Sequence, residues 1–265
     1  MSNILYGTIY GDIAGSTYEF RSVTNYNFTT VPAKSKFTDD TVMTCAVALW
    51  LIEDEKHLLS ELVKQMQRLG QMFPRAGYGG MFRKWLVAKD PKPYGSFGNG
   101  SAMRVSPCAW VAKSLEEAEY LAEQTAIVTH NHPEGIKGAK AVAAAIYMAR
   151  NGASKEDIKE YITKTYGYKL NRTIAGIKRA GYTFDSTCQG SVPESIIAFL
   201  EGNSFEEVIR LAIFLGGDAD TQAAIAGSIA EAFYGIPTRL IGDVDKRLDK
   251  ELIKIVNSFN NYCNE

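Results

Sequence analysis

The helical period dominates the chain. Apolar residues recur at three- and four-residue spacing over 42–53, 58–73, 116–129, 134–151, 155–165, 192–201, 204–215, 221–234 and 249–262, as they do in helices that bury one face. Start signals support several of these segments. Ser114 precedes LEEAEYLAEQTAIV, Ser154 precedes KEDIKEYI and Ser204 precedes FEEVIRLAIFL, each placed to accept a hydrogen bond from a first-turn amide. No six-residue stretch alternates convincingly, no hairpin dipeptide joins two such stretches, and no repeat is found. The pattern predicts an all-α chain.

The first segment departs from the rest. Gly7, Gly11 and Gly15 recur every four residues in YGTIYGDIAG and share one face of a helix. Glycine costs a helix roughly 1 kcal/mol against alanine, so such a stripe is tolerable where another backbone packs close to it. A membrane-dimer reading of G-x-x-x-G fails, because the segment is short and carries Asp12. Glycine and proline gather in FPRAGYGGMFRKW (73–85) and DPKPYGSFGNGSAMRVSP (90–107), which read as long ordered loops, where function concentrates. Neither shows the composition break of a linker, so residues 1–265 are read as a single domain.

Composition narrows the partners. Apolar residues make up 46% and charged residues 22% of 265, an ordinary globular balance with enough chain for a well-filled core. Lys plus Arg is 29 and Asp plus Glu is 30, a net charge of −1, so neither nucleic acid nor an anionic membrane is expected as a partner. Cys45, Cys108, Cys188 and Cys263 form no C-x-x-C pair and no zinc spacing; mostly buried free thiols of a reducing compartment are expected. The opening MSNILYGTIYGDIAG lacks the basic start of a signal peptide, and the longest apolar run, AVAAAIYMA at 141–149, is too short to span a bilayer. A cytoplasmic protein is expected.

Two stretches share a grammar. TDDT at 38–41 introduces one helix and GGDADTQAAIAG at 216–227 introduces another, with Asp218, Asp220 and Thr221 at its head. Each offers two carboxylates and at least one threonine hydroxyl, hard oxygen ligands suited to Mg²⁺, Mn²⁺ or Ca²⁺. The alternative is helix capping, favoured by the helix dipole. One acid suffices for a cap, however, and two carboxylates ~4 Å apart repel by about 4 kcal/mol at an effective dielectric of 20. If the two helix starts converge, their four carboxylates and two threonines match a pair of divalent ions.

Other candidates are weaker one at a time. GSFGNGSAMRVSP at 95–107 either lets its backbone amides cradle phosphate or forms a plain glycine-rich turn; it lacks the lysine and spacing of a P-loop. In THNHPEG, His130 and His132 do not share a helix face, Pro133 suits a first helical turn, and His132 or Asn131 stands near the cap. Glu19 reads as a solvated acid by composition alone, Asp12 as a cap, and His57 as a surface residue. Tyr78, between glycines in AGYGG, is either a stacking lid or a surface tyrosine.

GDIAGSTYEF, FTDDT, RAGYGGMF, FGNGSAMRVSP, THNHPEG and LGGDADTQAAIAGSIAEAFYG occur in the order found in the ADP-ribosylglycohydrolases, and the chain resembles that family over roughly residues 4–240. The resemblance implies a compact orthogonal helical bundle with a central metal-binding cleft and two Mg²⁺ or Mn²⁺ ions. It implies metal ligands at Thr38, Asp39, Asp40, Asp218, Asp220 and Thr221, and catalytic carboxylates at Glu19, Asp39 and Asp40. Substrate contacts are implied at Tyr78, Phe97, Gly98, Asn99, Gly100, Ser101, Met103 and His130. The implied partner is an ADP-ribose conjugate, an ADP-ribosylated protein (on arginine or serine) or a small molecule. The implied reaction is hydrolysis of the glycosidic bond at the anomeric carbon; the alternatives are an ADP-ribose-binding protein without turnover and a hydrolase of another nucleotide-derived glycoside.

Overall fold

Side-chain caps open the helices where the sequence places them. Ser114 Oγ accepts from the Glu117 amide at 3.1 Å, Ser204 Oγ accepts from the Glu207 amide at 3.2 Å, and Ser154 forms a reciprocal capping box with Asp157. The computed structural model describes residues 3–264. Its helices in chain order are α1 (Tyr6–Gly15), α2 (Asp39–Glu53), α3 (Leu59–Met72), α4 (Gly80–Leu86), α5 (Ser106–Val111), α6 (Leu115–Ile127) and α7 (Pro133–Arg150). They continue with α8 (Lys155–Tyr166), α9 (Ile174–Arg179), α10 (Cys188–Glu201), α11 (Phe205–Leu215), α12 (Ala219–Tyr234), α13 (Thr238–Asp245) and α14 (Lys250–Asn264). A single 3-10 turn covers Asn99–Ser101, and no strand occurs among the described residues. The protein is all-α, as the pattern predicts.

Two expectations about boundaries need correction. The stretches 73–85 and 90–107 are not wholly loops: α4 takes up the end of the first and runs one residue past it, and the 3-10 turn and the start of α5 lie in the second. Both helices are too short for a periodic signal. α10 begins at Cys188 rather than at 192, because Thr187 caps it and Pro193, a residue that usually opens a helix, sits inside it.

Helix α12 is the hub. Every residue from Ala219 to Glu231 is buried, and the helix packs against α1, α2, α7, α10 and α11. Its closest neighbour is α1, all ten of whose residues are buried. The glycine stripe explains the approach: a Cβ at Gly7 would lie 2.6 Å from the Gly227 carbonyl oxygen, and one at Gly11 or Gly15 would overlap the Ala223 or Ala219 carbonyl. α1 has no cap of its own. Glu231 of α12 supplies it, accepting from the Gly7 amide at 2.9 Å, so the two helices are tied by packing and by a shared cap. Residues 16–38, which leave α1 and return to α2, carry no helix.

Cys45, Cys108 and Cys188 are buried free thiols and Cys263 is half-buried. His57 is not a plain surface residue; it is half-buried against Trp50, ring centroids 5.2 Å apart. Among the described residues no helix is long and apolar enough to cross a membrane.

The stripe makes a testable demand. Gly11→Ala places a methyl group into the α12 backbone and is expected to destabilise the protein by about 3 kcal/mol or more, read by denaturant unfolding. A loss below about 0.5 kcal/mol, the usual range of a surface change, would contradict the α1–α12 approach.

Candidate active-site cleft

The site is built outward from Asp12. This residue lies inside α1, fully buried, and does not cap its own helix. Its carboxylate accepts from the Thr38 amide at 2.8 Å, the Thr38 hydroxyl at 2.7 Å, the Thr41 amide at 3.2 Å and the Thr41 hydroxyl. Two of these donors are amides at the start of α2. The Asp40 amide is taken by Thr38 Oγ1 at 3.4 Å, and the Asp39 amide by the Ala76 carbonyl at 2.8 Å. The first amides of α2 are therefore satisfied without using the carboxylate of Asp39 or Asp40. Thr38 and Asp12 are the caps.

The second acidic segment arrives through a tight turn. Gly216 and Gly217 both hold φ at 86°, a region that glycine enters without strain. Asp218 follows at the head of α12. Its Oδ2 accepts from Asn99 Nδ2 at 2.7 Å rather than capping α12, and Thr221 Oγ1 donates to Asp40 Oδ2 at 3.3 Å. Ligand oxygens of Asp12, Asp40 and Asp220 lie within 4.8 Å of one another, as do those of Glu19, Asp218 and Asp220. The two helix starts converge, and Asp220 belongs to both groups. Asp39 joins neither triad, but its charge interacts with those of Asp12, Asp218 and Glu19.

These carboxylates oppose one another. A pair 4.8 Å apart repels by roughly 3–4 kcal/mol at an effective dielectric of 20. Burial, the larger influence, pushes Asp12 up to about 6 and, with the charge of Asp12, pushes Asp39 to about 8. Burial and then Asp12 hold Asp40 well above the usual carboxylate range; burial and then Asp218 do the same for Asp220. Glu19 is half-buried on the turn after α1 and rises to about 7 through burial and the charges of Asp218 and Asp12. None of these acids pairs with a lysine or arginine among the described residues. Among the described residues Asp40 Oδ1 is buried with no hydrogen-bond partner. Buried hard oxygens with an orphan acceptor among them fit a divalent cation.

The acids line a cavity of about 530 Å³, the size of a ligand pocket. Glu19, Asp39, Asp40, Asp218, Asp220 and Thr221 form one part of its lining; Gly98, Asn99, Gly100, Met103 and His130 form another. Thr38 stands behind the acids, bonded to Asp12. Ser101 is wholly buried and donates to the Gly135 carbonyl at 2.7 Å, tying the glycine turn to α7. Phe97 is exposed with its ring against His132, which caps α7 by accepting from the Glu134 amide.

Tyr78 differs from both expectations. Its side chain is neither a lid nor a surface residue: it is 2% exposed, packs on Phe82 and is absent from the cleft lining, although Gly77 and Gly79 beside it are present. An aromatic ring flanked by glycines is free to turn inward, and burial of its face favours that. Sequence reasoning missed Asp12 and Arg104. Arg104 lines the cleft at 1% exposure. The available signal was the same for both, a charged side chain inside an otherwise apolar segment.

A family model described as ADP-ribosylglycohydrolase matches residues 2–264. Among curated proteins, the chain is 26% identical to mouse (Mus musculus) ADP-ribosylhydrolase ARH3 over 306 residues, covering 88% of this chain and 83% of that protein. It is 28% identical to ADP-ribosylarginine hydrolase Tri1 of Pseudomonas putida (strain GB-1) over 267 residues, covering 88% and 70%. A solved structure described as an ADP-ribosylglycohydrolase-related protein complex superposes with a TM-score of 0.72 at 24% identity, covering 96% of this chain and 94% of that one. That likeness carries the fold.

The acidic cluster ties stability to pH. Unfolded aspartates titrate near pH 4, whereas folded Asp12 and Asp39 titrate near 6 and 8. Across that window the native state binds more protons than the unfolded state, so native stability falls as pH rises. Metal-free protein should show a lower Tm at pH 8 than at pH 5. Asp40→Asn should flatten the fall, and Mg²⁺ or Mn²⁺ should raise Tm more at pH 8 than at pH 5. A Tm that rises with pH in EDTA, or ignores both cations at pH 8, contradicts this account.

Proposed function

The chain belongs to the ADP-ribosylglycohydrolase family, and we propose that it is a divalent-metal-dependent hydrolase releasing ADP-ribose from a conjugate by cutting the bond at the anomeric carbon. The observation that carries this reading is the convergence of Asp40 with Asp220, and of Glu19 with Asp218 and Asp220, along one cleft. Thr38, Asp39, Asp40, Asp218, Asp220 and Thr221 are the residues that would hold two Mg²⁺ or Mn²⁺ ions, with Asp12 bracing them from behind. Bound there, such ions supply Lewis acidity and orient the hydroxyls of the sugar.

The chain's own groups do the rest. Departure of the acceptor builds positive charge at the anomeric carbon, and a carboxylate-lined wall stabilises it. Glu19 is the best-placed acid or base: it joins Asp218 and Asp220 from a helix-free segment, and burial with the charges of Asp218 and Asp12 raises it to about 7, where it holds or releases a proton at neutral pH. The turn from Phe97 to Met103 and His130 would seat the rest of the nucleotide, with Gly98 and Gly100 giving backbone room for it. We read residues 1–265 as one domain, supported by an apolar cluster that draws on residues from Ile4 to Phe259.

A panel of arginine-, serine- and acetyl-linked ADP-ribose, incubated with Mg²⁺ or Mn²⁺, identifies the acceptor through release of free ADP-ribose. Release should be lost in EDTA and in Asp40→Asn or Asp220→Asn. Glu19→Gln should lower turnover by about 10²–10⁴-fold. Tight ADP-ribose binding with no release from any conjugate would instead favour a binding protein without turnover.

A further inference from the structure

Arg104 is a buried cation that forms no ion pair with a carboxylate among the described residues. It is 1% exposed and lines the cleft, and its Nε has no hydrogen-bond partner. Its Nη2 donates to the Thr125 carbonyl and to Thr129 Oγ1, both at 2.7 Å. Thr129 Oγ1 lies 2.7 Å from His130 Nδ1. A guanidinium only donates, so the threonine oxygen accepts from it. Thr129 is fully buried, and no other described group takes its hydroxyl proton. That proton is therefore donated to His130 Nδ1, which leaves the neutral ring protonated at Nε2. Burial and the charge of Arg104 keep the ring neutral, well below its ordinary protonation range.

Nε2 faces the glycine turn. A Cβ on Gly100 would lie 3.2 Å from it and one on Gly98 3.5 Å, and no described protein group accepts from it. We infer that Arg104 and Thr129 are positioning residues that fix His130 as an Nε2–H donor to a phosphate oxygen of the nucleotide, seated over the Gly98–Gly100 turn. A hydroxyl ligand can donate or accept and would suit either tautomer. A phosphate oxygen at neutral pH only accepts, and so it requires the proton on Nε2. The unpaired charge of Arg104 on the same part of the lining favours an anion further. The phosphate half of the inference rests on the functional reading above; the tautomer does not.

Side-chain ¹⁵N NMR of the full chain tests the tautomer directly, with only three histidines to separate and His130→Gln to assign the signal. Wild type and Thr129→Ser should show the Nε2–H form, and Thr129→Val should lose it. In titrations, Thr129→Val should bind both ADP and ADP-ribose about tenfold more weakly, as expected for loss of one hydrogen bond to a charged group, and Thr129→Ser should restore affinity. An Nδ1–H ring in wild type, unchanged affinity in Thr129→Val, or a loss seen with ADP-ribose but not with ADP overturns the proposal. A wild-type Nε2–H ring together with no binding of either ligand overturns the functional reading, and the phosphate assignment with it.

Discussion

Gly7, Gly11 and Gly15 let α1 lie against α12 at a separation that no side chain would tolerate, and the geometry of the cleft follows from that approach. It brings Asp12 in α1 beside Asp220 in α12. Asp12 then reaches across to the start of α2 and holds Thr38 and Thr41 through both amides and both hydroxyls. Three helices separated along the chain thus meet through one buried carboxylate. The same packing excludes water from the junction, which raises the proton affinity of every acid there.

What the acids of TDDT are for turns on a count of amides. Helix starts attract carboxylates because their amides lack partners. At α2 those partners are Ala76, Thr38 and Asp12, so the carboxylates of Asp39 and Asp40 are surplus to capping. Surplus buried charge is costly unless protonated or met by a cation. Among the described residues no lysine or arginine forms an ion pair with it, and Asp40 Oδ1 is left with no hydrogen bond. Stability of the free protein alone gives no reason for the arrangement; a bound cation does.

Much of this was legible in the sequence. The long helices, their serine caps and the pairing of TDDT with GGDADT could be read because each depends on local periodicity or on an excess of charge in a short window. The short helices α4, α5, α9 and α13 lack enough turns to show a period. Asp12 was misjudged because its partners lie in another helix: beside a glycine it looks like a cap, and only the packing of α1 shows which helix it caps. Tyr78 was misjudged for the converse reason, since glycine neighbours do not specify whether a ring turns toward a cleft or into the core. Arg104 stood in AMRVSP as a charge among apolar residues, a signal of the same kind as TDDT but without a second copy to draw notice.

The placement of Arg104 bears on the charge of the whole cleft. A buried guanidinium and a buried acidic cluster in one cavity would gain most in the free protein by pairing directly. The structure keeps them apart. Arg104 is held by the carbonyl of Thr125 and the hydroxyl of Thr129, both uncharged, while the contact that the glycine turn makes with the acids is the neutral amide of Asn99 on Asp218. A direct ion pair would neutralise both sides and close the space between them. Holding the charges apart with neutral partners leaves one lining segment suited to cations and the other to anions, and on the function proposed above a ligand carrying phosphate at one part and engaging bound cations at another would satisfy both at once. The polarity of the cleft is thus maintained by the uncharged residues as much as by the charged ones, and Asn99 and Thr129 matter to it because they carry no charge.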